Sequence, residues 1–401
     1  MSAIHPVRHP GESRDPPAED HGAIRPSLLA QAVDPGFRRD DRGVRLLSAK
    51  AWSGVLVAVL AVGVLMPLLN LAVPAGNVLH VSDYMVGLVG KIMCYAICAL
   101  AMDLIWGYTG ILSLGHGVFF ALGGYAMGMY LMREIGRDGN YKSDLPDFMV
   151  FLDWKALPWH WAWSDSFVAQ MLLVVLVPGL LAGLFGYFAF RSRIKGVYFS
   201  IITQALTFAA MLLFFRNETG FGGNNGFTDF KRILGVPIAT PHMRMWLFVI
   251  TGLMLIGFFV FARWLVQSKF GRVLQAIRDA ENRVMFTGYD PLRYKLTIWV
   301  ISAVMCGIAG ALYVPQVGII NPSEMSPAAS IEIAIWAAVG GRGTLIGPIV
   351  GAFFVNGAKS WFTQAFPEVW LYFLGALFIA VTLFLPSGLV GLWGRLRKRA
   401  Q

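Results

Sequence analysis

Apolar positions in this chain come in long unbroken runs, not in the alternation of a half-buried strand. The runs fall at about 52–73, 84–106, 111–132, 167–190, 197–215, 245–266, 296–316 and 369–393. Each approaches the ~20 residues that an α-helix needs to cross the hydrocarbon of a bilayer. A further stretch, 328–362, is interrupted by Gly340-Gly341-Arg342-Gly343-Thr344 and reads either as two short spans or as one re-entrant hairpin. In lipid the backbone must satisfy its own hydrogen bonds, and continuous runs do this as helices, whereas barrel strands alternate. The expected fold is all-α, a polytopic transmembrane helix bundle with eight or ten spans, ten being preferred.

One segment keeps a different rhythm. Between 267 and 295, Phe270, Val273, Leu274 and Ile277 recur at i, i+3, i+4 and i+7, while Arg272, Gln275, Arg278, Asp279 and Asn282 fall on other faces. That is an amphipathic helix lying outside the membrane. Gly288, just beyond it, suits a left-handed C-terminal cap. Two uses fit the pattern. The apolar face could enter a groove on a partner while the charges fix its register, or the helix could simply rest on lipid.

Composition agrees with a membrane chain: 56% of residues are hydrophobic and 14% charged, against about 25% charged in soluble domains. The formal charge of +10 would suggest nucleic acid in a soluble protein. Here the basic residues follow membrane orientation. Arg45 and Lys50 precede the first run, and Arg191, Arg193 and Lys195 follow the fourth. Lys269, Arg272, Arg278, Arg283, Arg293 and Lys295 lie between the sixth and seventh, and Arg395, Arg397, Lys398 and Arg399 end the chain. Putting all four clusters on the cytoplasmic side places both termini there and requires an even number of crossings. The opposite loops, 74–83 and 317–329, hold no Lys or Arg. The loop 133–165, with Trp154, Trp159, Trp161 and Trp163, either lies along the outer headgroups or folds around its own apolar cluster.

The tail 1–45 is rich in Pro, Arg and acidic residues without apolar periodicity, so disorder is expected. It lacks the apolar core of a signal peptide. Stretches such as Arg8–Pro16 and Asp34–Asp41 look like a translated bacterial intergenic repeat, so either translation starts downstream or the tail is a real cytoplasmic extension. The remaining organisation is a membrane domain at 46–394, containing the loop 267–295, and a basic tail at 395–401.

No constellation for covalent catalysis is visible. Cys94, Cys98 and Cys306 lie inside apolar runs without His or carboxylate partners at metal spacing, and read as small core residues. Gly220–Gly226 is glycine-rich, but no G-K-[ST] follows, so it is not a phosphate-cradling loop. Any nucleotide must bind another chain. Ionisable residues inside apolar runs are expensive and are site candidates by default. Asp103 could sit near an interface beside the glycine break or serve function. His116, between Gly115 and Gly117, fits a pathway or a helix-packing role, and Lys91 snorkels or pairs within the bundle.

Three separated motifs carry a resemblance. They are Leu104-Ile105-Trp106-Gly107-Tyr108-Thr109-Gly110-Ile111-Leu112-Ser113-Leu114-Gly115-His116-Gly117, then Gly271-Arg272-Val273-Leu274-Gln275-Ala276-Ile277-Arg278-Asp279 with Gly288-Tyr289, and Gly307-Ile308-Ala309-Gly310-Ala311-Leu312-Tyr313. Over about residues 84–392 the chain resembles the branched-chain amino acid permease family of ABC importers. Val314-Pro315-Gln316-Val317-Gly318-Ile319-Ile320-Asn321-Pro322-Ser323-Glu324, Ile331-Glu332 and Thr382–Leu392 resemble most the second permease subunit of urea importers.

The resemblance implies a subunit of the bacterial inner membrane without its own ATPase site. Its implied partners are a second related permease, two ATPase subunits that bind ATP, and a periplasmic binding protein, besides lipid. It assigns Gly271, Arg272, Ala276, Ile277, Arg278, Asp279 and Gly288 to coupling with the ATPases. The pathway candidates are Asp103, His116, Asn321, Glu324, Glu332, Gly341 and Gly343. Glu324 and Glu332 could accept N–H groups of urea or cap a helix N-terminus, and Asn224, Asn225, Thr228, Asn321 and Ser323 are suitable polar types near an outer mouth. Two other cargoes fit the family, branched-chain amino acids and short amides. A second class of function, an ion-coupled secondary transporter, would need Asp103, His116 and Glu332 to converge.

Overall fold

The computed structural model describes residues 61–391 except 75, 78, 195, 370, 371, 374, 377, 378 and 381–387. The expected disordered tail, the basic tail, the first part of the 52–73 run and most of the 369–393 run lie outside the described residues. The described residues belong to one unit.

Within them the apolar runs become helices: α1 (Met66–Ala72), α2 (Asp83–Thr109), α3 (His116–Ile135), the short α4 (Asp147–Phe151), α5 (Phe167–Arg191), α6 (Val197–Phe215) and α7 (Pro241–Gln267). They are followed by α8 (Lys269–Phe286), α9 (Pro291–Val317), α10 (Pro327–Gly340) and α11 (Ile346–Ala365). Start signals are local. Ser82, Ser166, Thr240, Ser268, Asp290 and Ser326 each accept a backbone N–H at a helix N-terminus, which satisfies one otherwise orphaned donor. Helices α2, α5, α6, α7 and α9 are long and apolar enough to cross a membrane. The strands are two residues each: β1 (Phe227–Thr228) pairs antiparallel with β4 (Ile319–Ile320), and β2 (Arg232–Ile233) with β3 (Val236–Pro237).

The core is organised around α9, which packs against α2, α3 and α5. Glycine makes this possible. A Cβ on Gly123 of α3 would lie 1.9 Å from the Gly307 carbonyl oxygen of α9, and one on Gly310 would lie 1.8 Å from that of Phe120. Backbones can touch only where side chains are absent, which is how helices associate tightly without a hydrophobic drive between them. Helices α5, α6 and α7 instead present Leu180, Leu184, Leu212, Leu253 and Val260 outward, as lipid-facing surfaces do.

Two stretches expected to be helical are broken. The third run begins with a non-helical segment, 110–115, before α3 starts at His116. Ser200 donates to the Leu112 carbonyl and Thr203 accepts from the Leu114 amide, so α6 satisfies this backbone. His116 contacts Ser302, which donates to the Ala101 carbonyl. Ala101 and Ser302 lie roughly 12–16 Å inside the end of the bundle where α2 stops and α9 starts, at the helical rise per residue. Helix α3 therefore begins near mid-depth.

The 328–362 stretch forms two helices on either side of the break, the arrangement nearer to the two-span alternative. After α9 ends at the opposite face, residues 318–326 dip inward, and the Gly117 amide donates to Ser330 at the start of α10. Helix α10, about 21 Å long, runs from there to the break at 341–345 beside Gly107 and Asp103. Helix α11 then returns, and Gln364 reaches Tyr84 at the start of α2. The chain crosses and comes back, with the first crossing half extended and half helical. Discontinuous helices meeting at mid-depth are a recurrent way to place polar groups inside a transporter.

In the loop expected at 133–165 the second of the two alternatives is seen, an apolar cluster. Trp161 is buried against Phe148 and Phe227, and its indole N–H donates to the Gly220 carbonyl. Trp159 and Trp163 are largely exposed.

Candidate functional site

Three groups of candidate residues separate in the structure. The first lies at the end of the bundle where α2 and α7 finish and α9 begins. Helix α8 spans Lys269–Phe286 as its periodicity predicts, but it kinks at Ala280 (φ −157°, ψ 72°). Its apolar side is already used. Leu274, Ile277 and Val284 are buried, Phe270 stacks on Tyr294 at 5.2 Å, and the helix packs on α7, α9 and α2. The expectation that this face enters a groove on a partner is corrected, because it is consumed within the chain. What remains outward is Arg272, Ala276, Asp279 and Arg283, with Met285 and the 92% exposed Phe286 beyond the kink. Gly271 is buried where a Cβ would meet the Val266 carbonyl, and Gly288 takes φ +86° just after the helix. Lys295 is buried and pairs with Glu281 at 2.6 Å.

Arg278, also partly exposed, reaches inward. Its Nη1 donates to the Gly107 carbonyl at 2.9 Å, its Nε meets Asp279, and its stem lies 3.1 Å from where a Cβ on Gly110 would be. Gly107 touches the second group. Asp103, fully buried, accepts from the amides of Gly343 (2.5 Å) and Leu345 (3.1 Å), and Tyr108 donates to the Gly343 carbonyl. Gly341 and Gly343 have φ of +117° and +75°, backbone that only glycine adopts without strain. Asp103 is thus enclosed by protein. It binds the amides freed by the break, and Arg342 lies over Trp106 at 5.3 Å. Arg278, Gly107, Asp103 and the break form one contiguous chain of contacts from α8 to the start of α11.

The third group surrounds a cavity of about 40 Å³ between α2, α3 and α10, walled by Tyr95, Phe120, Glu324, Glu332 and Trp336. Glu324 accepts from Tyr313 at 3.1 Å, and Glu332 pairs with Lys359 at 2.9 Å. Neither caps a helix. The N-cap of α10 is Ser326, and Asn321 caps the turn at Pro322–Met325. The ammonium of Lys91 lies over the rings of Tyr95 (5.6 Å) and Tyr313 (5.9 Å). Lys91 also lines an open hollow of about 630 Å³ toward the other end of the bundle, with Asp83, Arg244, Phe230 and Gln316. Lys91 and Tyr95 therefore stand between hollow and cavity. The segments 224–228 and 319–323, which carry Asn224, Asn225, Thr228, Asn321 and Ser323, come together through the β1–β4 pair.

His116 belongs to none of these. It is fully buried, bonded to Ser113 and Ser302, and set edge-on to Trp299, contacts of the helix-packing kind. Asp103, His116 and Glu332 each have a different set of partners, and the convergence that an ion relay requires is not present. Cys94, Cys98 and Cys306 are buried core residues. Sequence reasoning passed over Trp336, Tyr95 and Tyr313, which look like ordinary members of apolar runs. Lys359 was legible as a lone charge within an apolar stretch, and Arg342 as a charge within the glycine break.

A bundle with broken helices, an interior cavity walled by two carboxylates and aromatic rings, and an amphipathic helix packed across one end defines a multi-pass membrane permease. A family described as branched-chain amino acid transport system / permease component matches residues 84–382, and this chain belongs to it. The high-affinity branched-chain amino acid transport system permease protein LivM of Salmonella typhimurium is 25% identical over 321 residues, 74% of this chain and 68% of that protein. The corresponding BraD of Pseudomonas aeruginosa is 23% identical over 317 residues, covering 74% and 91%. LivH of Salmonella typhimurium is 22% identical over 309 residues, with the same coverage. No solved structure matches the chain.

Proposed function

We propose that this chain is the membrane subunit of an ATP-driven importer of the bacterial inner membrane, and that it works beside a second related permease, two ATPase subunits and a periplasmic binding protein. The observation that carries the reading is the contact chain from α8 through Arg278, Gly107 and Asp103 to the glycine break. In this reading the α8 end faces the cytoplasm, in keeping with its Lys and Arg. A partner pushing on the outward face of α8 moves the end of α2 and the break together, and α10 and α11 carry that motion to the cavity. Nucleotide binds only to the ATPases, and the hollow beside Lys91 receives solute from the binding protein.

Two cargoes have support. The relatives named above are branched-chain amino acid permeases, which favours those amino acids. Urea is favoured by the Pro315-Gln316-Val317-Gly318-Ile319-Ile320-Asn321-Pro322 stretch and by the cavity, whose ~40 Å³ admits roughly three water-sized groups. The test is uptake of radiolabelled urea, leucine and valine at micromolar concentration in cells with and without this chain, with and without ATP depletion. Loss of an ATP-dependent uptake on deletion is expected, and the labelled solute that is lost identifies the cargo. Uptake that depends on the chain but survives ATP depletion overturns the importer reading. Arg278→Ala should cut uptake while the complex still assembles; full coupling in that variant counts against the proposed route.

A further inference from the structure

The binding protein of an importer is the ordinary seat of selectivity, yet the interior cavity here has the features of a recognition site. Trp336 forms part of its wall, is 3% exposed, and its indole N–H has no hydrogen-bond partner. A buried donor left unmet is destabilising, so such a group marks a place where a ligand acceptor fits. On the same wall, Glu324 gives one carboxylate oxygen to the Tyr313 hydroxyl, and its other oxygen retains acceptor capacity. Tyr95 and Phe120 supply flat faces, with Tyr95 lying 4.7 Å from Trp336 and 6.0 Å from Phe120 between ring centroids.

Charge narrows the ligand class. Two carboxylates, Glu324 and Glu332, are matched by two ammonium groups, Lys359 paired with Glu332 and Lys91 above Tyr95 and Tyr313. A site balanced in this way favours a neutral polar solute over a cation. The volume favours a molecule of a few heavy atoms.

We propose that this cavity is a selectivity subsite within the permease itself for a small, flat, neutral amide, in which the Trp336 N–H donates to the solute carbonyl, Glu324 accepts a solute N–H, and the Tyr95 and Phe120 faces hold its plane. The proposal rests on the urea reading of the cargo and places a second sieve behind the binding protein. Ala329, also in the cavity wall, offers an independent handle, because two added methyl groups there take up space without removing any polar group.

The test uses the intact importer, purified through a tag on this chain and reconstituted in proteoliposomes with its binding protein. Uptake of urea, N-methylurea and leucine is compared for wild type, Trp336→Phe and Ala329→Val, with ATP hydrolysis stimulated by the loaded binding protein as a control. Trp336→Phe keeps the ring and removes the donor. It is expected to lower urea kcat/KM about five- to tenfold, the weight of one buried hydrogen bond, with stimulated ATP hydrolysis retained. Ala329→Val should reduce uptake of N-methylurea more than that of urea. If Trp336→Phe does not assemble, Ala329→Val decides alone. Wild type that moves leucine but not urea removes both the cargo reading and the subsite. Wild type that moves urea, with assembled variants keeping its kinetics and selectivity, overturns the subsite and leaves the cargo reading standing.

Discussion

Gly107→Ala is the sharpest probe of the route from α8 to the interior. A Cβ at Gly107 would lie 2.5 Å from Asp103 Oδ1, 2.6 Å from the Gly343 nitrogen and 2.8 Å from Gly343 Cα. Two of these atoms are backbone, so α2 and the break must part by about an ångström to reach ordinary contact. Overpacking of this kind costs ~1–3 kcal/mol. If the parting frees one of the two amides held by Asp103, a further ~1–3 kcal/mol is lost. Replacing a helical glycine by alanine returns up to about 1 kcal/mol. The net expectation is a destabilisation of about 1–5 kcal/mol, concentrated where the contact chain passes from α2 to α11. Gly257→Ala is the control. It lies in α7 with nothing within 4 Å of its Cβ position, and it should be neutral or slightly stabilising. The assay is thermal unfolding of the intact importer in nanodiscs, together with solute moved per ATP hydrolysed in proteoliposomes. Gly107→Ala should unfold earlier and move less solute per ATP. A Gly107→Ala protein as stable and as coupled as the Gly257→Ala control would refute the packing argument and the route built on it.

Other consequences can be checked separately. Glu332→Gln and Lys359→Met each break the 2.9 Å pair and should destabilise by ~1–3 kcal/mol, discounted for partial exposure, while the double variant should recover most of that loss in thermal unfolding. Burial beside Phe221 lowers the pKa of His160, in the loop between α3 and α5, below its ordinary 6.5. The unfolded loop then binds the proton more readily, so its stability is fully present at higher pH and declines as pH falls below about 6.5. Limited proteolysis of residues 139–165 should speed up on acidification, and His160→Phe should remove that dependence. Phe286→Ser, at the exposed end of α8, should leave folding of this chain unchanged and weaken its copurification with the ATPase subunits; undiminished copurification would remove Phe286 from that surface.

Much of this protein is written in its one-dimensional pattern. Continuous apolar runs must become helices wherever lipid offers the backbone no partner, so α2, α5, α6, α7 and α9 fall within a few residues of their expected bounds. The amphipathic period of 269–286 and its capping residues are likewise local, set by side chains three and four apart. What the sequence left open are contacts between residues distant along the chain. Periodicity showed that α8 has an apolar face, but only packing showed that the face is spent on α7 and α9, leaving the polar side and Phe286 outward. Asp103 and Gly343 are both conspicuous in sequence, yet nothing local says that one carboxylate satisfies the amides freed by the other's break. His116 and Asp103, equal as candidates on cost alone, part company because one finds two serine hydroxyls and the other a broken backbone. Trp336 passed as one more apolar residue, and its unmet N–H became visible only when α2, α3 and α10 closed around it. Helix formation depends on neighbours along the chain. Polar satisfaction inside a bundle depends on which helices meet, and that is settled only by the close packing of the whole fold.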